Sequence, residues 1–245
     1  MNLLLVEPHE LRADGSVRLA GRRARHAHEV LAAAPGERLR AGVLGGRMGL
    51  AEVVASGPDE LVLSLALERD PPPAAPLQLL LALPRPKVLR RVLQAVASLG
   101  VKRLVLCGSY RVERSYFGSP ALAPDALRAE LVLGLEQGRD TILPEVQVRR
   151  LFKPLVEDEL AALLPAPVRL LAHPGSPGLP APPAAGDIAL AIGPEGGFTP
   201  YEAGLLEAHG WTPFSLGERV LRVDTAVSLA AGRILQWIGG RGAGA

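Results

Sequence analysis

Asp187-Ile188-Ala189-Leu190-Ala191-Ile192-Gly193-Pro194-Glu195-Gly196-Gly197-Phe198-Thr199-Pro200-Tyr201-Glu202 runs from an unbroken apolar stretch through a glycine-rich turn into the start of a helix. An apolar run this short, with no polar alternation, predicts a strand covered on both faces, Asp187–Ile192. Thr199 as N-cap, Pro200 in the first turn and Glu202 three residues after the cap form a capping box, so the helix start is well specified. Strand, turn and helix in succession are the unit of an α/β fold with a mainly parallel sheet.

The same alternation extends on both sides of this stretch. Upstream it predicts strand Leu77–Leu83, helix Pro86–Leu99, strand Val101–Cys107, helix Pro124–Gln137, strand Glu145–Val148, helix Pro154–Leu164 and strand Val168–Ala172. Downstream it predicts helix Pro200–His209, strand Thr212–Leu216 and a long helix from Asp224 to Trp237. Asp70-Pro71-Pro72-Pro73-Ala74-Ala75-Pro76 stiffens the chain and removes backbone donors, which places a linker at 71–76 between a first domain, 1–70, and a second, 77–245. Before the linker, short apolar runs at Met1–Val6, Glu37–Leu44, Met48–Ser56 and Glu60–Leu67 are separated by turn residues, predicting a small β-barrel with one helix, Arg25–Ala34.

A hydrophobic content of 48% with 21% charged residues excludes a disordered chain. Cys107 is the only cysteine, so neither an internal disulfide nor a cysteine-built zinc cluster is expected, and a reducing compartment fits. The N-terminal run has no basic flank and reads as a strand rather than a signal peptide, and no apolar stretch approaches membrane-spanning length. The net charge of +2 divides into about +6 over 1–118 and about −4 over 119–245. A basic first half suits a polyanion, although a solvated basic face has the same signature.

In a parallel sheet, ligands gather beyond the carboxyl ends of strands. Three loops stand there: Leu171-Ala172-His173, Ile192–Phe198, and the long connection Ser215–Ala226. The glycines of the second permit close backbone approach to a ligand, although such a turn is more often a plain connection. The third alternates apolar and charged residues where turn residues are expected, so Val220, Leu221 and Val223 are expected to be buried, against the protein itself or against a heterocycle. The histidines show no metal-ligand spacing with carboxylates, and no metal is expected.

The segments Ile192–Phe198 and Leu216–Ala226, in this order and with a helix between them, resemble the RsmE family of 16S ribosomal RNA uracil-N3 methyltransferases in the SPOUT superfamily. Glu136-Gln137-Gly138-Arg139 followed by Leu143-Pro144-Glu145, and Arg25-His26 near the N-terminus, add to the likeness. Ala95-Val96-Ala97-Ser98-Leu99-Gly100-Val101 stands where many members read K-A-T-E-L-G-V, which marks a divergent branch.

The resemblance implies a PUA-like RNA-binding β-barrel followed by a SPOUT-type parallel sheet with a C-terminal trefoil knot. It further implies a cytoplasmic homodimer that binds S-adenosyl-L-methionine and methylates N3 of a uridine in 16S rRNA of the small ribosomal subunit. Another RNA position, or a non-catalytic RNA-binding or assembly factor on the same scaffold, are the competing readings. Carried over, the cofactor residues are Leu171, Ala172 and His173, then Ile192, Gly193, Glu195, Gly196 and Gly197, then Leu216, Gly217, Val220, Leu221, Val223 and Ala226. Arg222 is the expected stabiliser of the uracil anion, with Glu195 or Asp224 assisting deprotonation or orienting it. The residues nominated for RNA are Arg22, Arg23, Arg25 and His26 in the first domain, and Arg85, Lys87, Arg90, Arg91, Arg111, Arg114 and Arg139 in the second.

Overall fold

A computed structural model describes residues 2–21, 23–25, 34–57, 59–180 and 186–239. The chain divides into two compact units, residues 1–73 with 132–143 and residues 74–131 with 144–245. The expected helix over 25–34 and the RNA candidates Arg22 and His26 lie outside the described residues or run into undescribed ones.

The first unit contains strands β1 (Leu4–Val6), β2 (Ser16–Ala20), β3 (Arg38–Val43), β4 (Met48–Ser56) and β5 (Glu60–Arg69). They form one sheet in the order β1-β3-β4-β5-β2, with β1 parallel to β3 and the other pairs antiparallel. Strand β2 was not expected. Its pattern is nonetheless a half-buried alternation, with Val17 and Leu19 inward and Arg18 and Ala20 outward. Those two side chains join Leu4, Val6, Leu61 and Leu63 in the core of the unit. Residues Val132–Leu143, which the sequence places in the second domain, group with this unit. Thr141 is the physical reason: its carbonyl accepts the Gly45 N–H at 2.7 Å, and its hydroxyl donates to the Gly46 carbonyl at 2.5 Å.

The second unit is built on β6 (Leu77–Ala82), β7 (Arg103–Cys107), β8 (Glu145–Arg149), β9 (Val168–Ala172), β10 (Ile188–Ile192) and β11 (Thr212–Phe214). All six are parallel, in the order β11-β9-β10-β6-β7-β8. Every residue of β6 and β10 is buried, which is why these strands read as continuous apolar runs. The helices are α1 (Pro86–Ser98), α2 (Pro124–Gly138), the short α3 (Phe152–Pro154) and α4 (Leu160–Leu163), α5 (Pro200–Ala208) and α6 (Val223–Gly239). The single helix expected over 154–164 is instead α3 and α4 joined by a π-helical turn, Leu155–Glu159. No helix among the described residues is long and apolar enough to cross a membrane.

Candidate functional site

Strands β11, β9 and β10 are neighbours, and Phe214, Ala172 and Ile192 stand in lateral register at their carboxyl ends. Three loops therefore leave the sheet side by side, although they are far apart in sequence. They enclose a cavity of about 320 Å³, within the range of small-molecule sites. From the first loop come Ala172 and His173, and from the second Ile192, Gly193, Glu195, Gly196 and Gly197. The third contributes Leu216, Gly217, Val220, Leu221 and Val223, with Ala226 from the first turns of α6. Of the expected cofactor residues only Leu171 is not in the wall; it is fully buried in β9, where strand alternation turns it away from Ala172.

The glycine loop is held tightly. The Gly197 N–H donates to the Pro194 carbonyl at 2.8 Å, and Gly197 has a left-handed backbone, φ 72°. A Cβ on Gly193 would stand 2.9 Å from the Phe198 nitrogen, so only glycine fits there. Phe198 is buried and packs on Phe152 with ring centroids 5.5 Å apart, backing the loop from inside. The expected capping box is present: Thr199 Oγ1 accepts the Glu202 N–H at 3.3 Å, and Glu202 Oε2 accepts the Thr199 N–H at 2.8 Å. On the opposite wall, Ser215 Oγ accepts the Gly217 N–H at 3.1 Å. The N–H groups of Leu216, Val220 and Leu221 make no hydrogen bond with another described residue, so this wall offers donors to a ligand.

Burial of the third loop differs from expectation. Val223 is buried and Leu221 half-buried, but Val220 is 83% exposed. Val223 begins α6 and faces the core, whereas Val220 precedes the helix and forms the cavity's open lip.

Arg222 lies between the lining residues Leu221 and Val223, exposed and outside the cavity wall. Its Nε is 3.9 Å from Asp224 Oδ1, a buried oxygen without a hydrogen bond. Asp224 Oδ2 accepts from Arg91 Nε at 2.7 Å. Burial pushes the Asp224 carboxyl up, but the hydrogen bond and charge of Arg91, with Arg222 beside it, hold it below the usual carboxylate range. Glu195 Oε1 accepts the Arg85 backbone N–H at 3.2 Å and lies 3.9 Å from Arg85 Nε.

A model of the family described as RNA methyltransferase domain matches residues 71–235. Ribosomal RNA small subunit methyltransferase E of Treponema pallidum is 32% identical over 247 residues, covering 96% of this chain and 91% of its own. The chain belongs to the ribosomal RNA small subunit methyltransferase E family. A second member, ribosomal RNA small subunit methyltransferase E 1 of Borreliella burgdorferi, is 22% identical and covers 94% of this chain and 96% of its own. The crystal structure of the Neisseria gonorrhoeae member bound to S-adenosyl methionine shares the fold, with a TM-score of 0.73 at 20% identity over 97% of this chain and 98% of that one.

Against the family's RNA substrate, the nominated basic residues separate into two groups. Arg23 is spent on Glu10, Arg90 stands 3.7 Å from Glu130, Arg91 holds Asp224 and Arg85 neighbours Glu195. Those four each have a carboxylate partner in the chain. Arg25, Lys87, Arg114 and Arg139 are exposed and make no ion pair among the described residues. Arg111, read from sequence as an RNA contact, lines the cavity and donates to the Gly196 carbonyl. Sequence reasoning also missed the second contact of Glu202, whose Oε1 accepts the Tyr110 N–H at 2.8 Å from the loop after β7. No sequence signal near Tyr110 points to a partner 92 residues away.

Proposed function

We propose that this chain transfers the methyl group of S-adenosyl-L-methionine to N3 of a uridine in 16S rRNA of the small ribosomal subunit. The observation that carries the reading is the convergence of the glycine loop and the 215–223 connection on one cavity at the carboxyl end of a parallel sheet. The Treponema relative, a ribosomal RNA small subunit methyltransferase, supports the rRNA substrate, and the Neisseria structure supports the cofactor. The cavity fits the group: glycines 193, 196 and 197 keep side chains out of one wall, and the other wall holds Leu216, Val220 and Leu221, whose N–H groups make no hydrogen bond with another described residue. When bound, the cofactor supplies an electrophilic methyl on a sulfonium.

The protein's own residues then act on the uracil. Removing the N3 proton leaves negative charge on the ring oxygens, and Arg222, between the lining residues Leu221 and Val223, neutralises it. The buried Asp224 Oδ1 beside Arg222 Nε orients that guanidinium. A carboxyl held low by Arg91 is a weak proton acceptor, so Asp224 positions while Glu195, in the cavity wall, takes the proton.

The finer architecture belongs to the same reading. Residues 1–70, grouped with 132–143, form a PUA-like barrel, 71–76 the linker and the rest of 77–245 the SPOUT domain. The three loops after β9, β10 and β11 form a trefoil knot around the cofactor, and the enzyme is a cytoplasmic homodimer. The adjacent order β11-β9-β10 supports the knot by bringing those loops together. Nucleoside mass mapping of 16S rRNA from cells lacking the protein should show 3-methyluridine lost at one position; an unchanged profile would sink the assignment. Arg222→Ala should abolish turnover with cofactor affinity, by calorimetry, within a few-fold of the parent, and retained turnover removes Arg222 from the mechanism.

A further inference from the structure

Beside the cofactor cavity the sheet carries a second cleft. The carboxyl ends of β7 and β8, with Cys107 and Arg149 in register, lead into Gly108-Ser109-Tyr110 and Arg150-Leu151-Phe152. These two loops and the start of α5 line an open cleft of about 500 Å³ that shares no lining residue with the cofactor cavity. Its walls hold Tyr110, Leu151 and Tyr201, exposed to 87%, 69% and 61%. Among the described residues of this unit, the other exposed large apolar side chains are Val220 and Leu229, the latter only 40% exposed. Clustered exposed aromatic surface marks a binding face, since isolated apolar residues on a surface need no partner but a cluster does.

The polar groups of the cleft narrow the ligand. The Arg150 guanidinium lies over the Phe117 ring at 5.6 Å and makes no hydrogen bond or ion pair among the described residues. Lys153 meets only Glu157, an exposed neighbour one helical turn on at 3.6 Å, a pair of little strength. The single carboxylate, Glu202, is 4% exposed, and its oxygens are taken by the N–H of Tyr110, the N–H of Thr199 and the Thr199 hydroxyl. Its charge is thus met inside the protein, and it fixes the Tyr110 backbone to the helix that carries Tyr201. Two exposed tyrosines with weakly engaged cations at the rim match an unpaired nucleobase with its phosphate: rings stack on the base, and cations meet the backbone.

We propose that this cleft binds an unpaired base of the RNA substrate, separate from the base that is methylated, stacked on Tyr110 and Tyr201 with the adjoining phosphate at Arg150 and Lys153. The proposal rests on the reading of the chain as an RNA methyltransferase. Tyr110 and Arg111 are consecutive, so the loop that holds the stacked base also reaches the cofactor cavity.

The test is anisotropy titration of the full-length protein with a fluorescein-labelled, uridine-rich single-stranded RNA, alongside calorimetry with S-adenosylmethionine. Tyr110→Ala and Tyr201→Ala should each weaken RNA binding roughly fivefold to a hundredfold. The matching Phe variants should bind RNA within about twofold of the parent, and cofactor affinity should hold in all four. Arg150→Ala should lower the salt slope by about 0.7. Ala variants that bind RNA like the parent, or Phe variants that lose as much as Ala, overturn the stacking cleft while the methyltransferase reading stands. A parent protein that binds neither RNA nor cofactor overturns both.

Discussion

Gly193 and Gly197 are both glycine in the same turn for different reasons. At Gly193 the backbone passes so near Phe198 that an added methyl would meet main-chain atoms, which cannot swing aside. At Gly197 there is open space, and the left-handed φ of 72° is what disfavours a side chain. Gly193→Ala should therefore push the turn open and weaken S-adenosylmethionine binding at least about tenfold by calorimetry, a cost typical of overpacking at a tight contact. Unchanged affinity would mean that the turn yields without disturbing the wall. Cys107 illustrates the opposite case of a reactive residue type with no chemistry, because complete burial pushes its thiol far above the usual range and keeps it protonated.

Helices α1 and α6 pack together, and the Arg91–Asp224 pair joins them across their surface. Asp224 also sits in the first turn of α6, where a negative charge meets the positive end of the helix. Its carboxyl is depressed in the folded protein, so its contribution to stability is complete above the ordinary value of 3.8 and disappears as pH falls through the lower folded value. Asp224→Asn should thus cost about 1 kcal/mol or less at pH 7, because Arg91 remains 43% exposed and water screens the pair. Chemical denaturation at pH 7 and near pH 3 checks the sign: the gap between parent and variant should narrow in acid. A gap that widens in acid would show that the pair does not hold Asp224 ionised.

For the whole molecule, the proposed cofactor cavity is made by three loops on adjacent strands of the second unit, so a cofactor bound there would link those loops and stabilise the unit that holds them. At a hundredfold excess of S-adenosylmethionine over its Kd, mass action adds about 2.7 kcal/mol to that unit. A thermal melt with and without cofactor should show the shift, and identical melts would rule out binding to the folded state. The charge pattern at this scale is less informative than it looked, since four of the nominated basic residues face carboxylates of the same chain.

The sequence by itself determined the α/β character of residues 77–239, because strands covered on both faces must be apolar throughout and helix starts carry their own caps. It also marked residues that line the cavity, since glycine at a close approach and apolar residues in a connecting loop are local anomalies. Strand β2 was legible in principle from Val17 and Leu19 but is short enough to pass as a turn. What only the tertiary structure decided is which loops meet. The order β11-β9-β10 sets Ala172 beside Ile192 and Phe214, and the continuation β10-β6-β7 brings Arg111 onto Gly196 and lets Glu202 reach Tyr110. None of these pairings is written in local pattern, because a parallel sheet joins strands through long crossovers and chooses neighbours by packing.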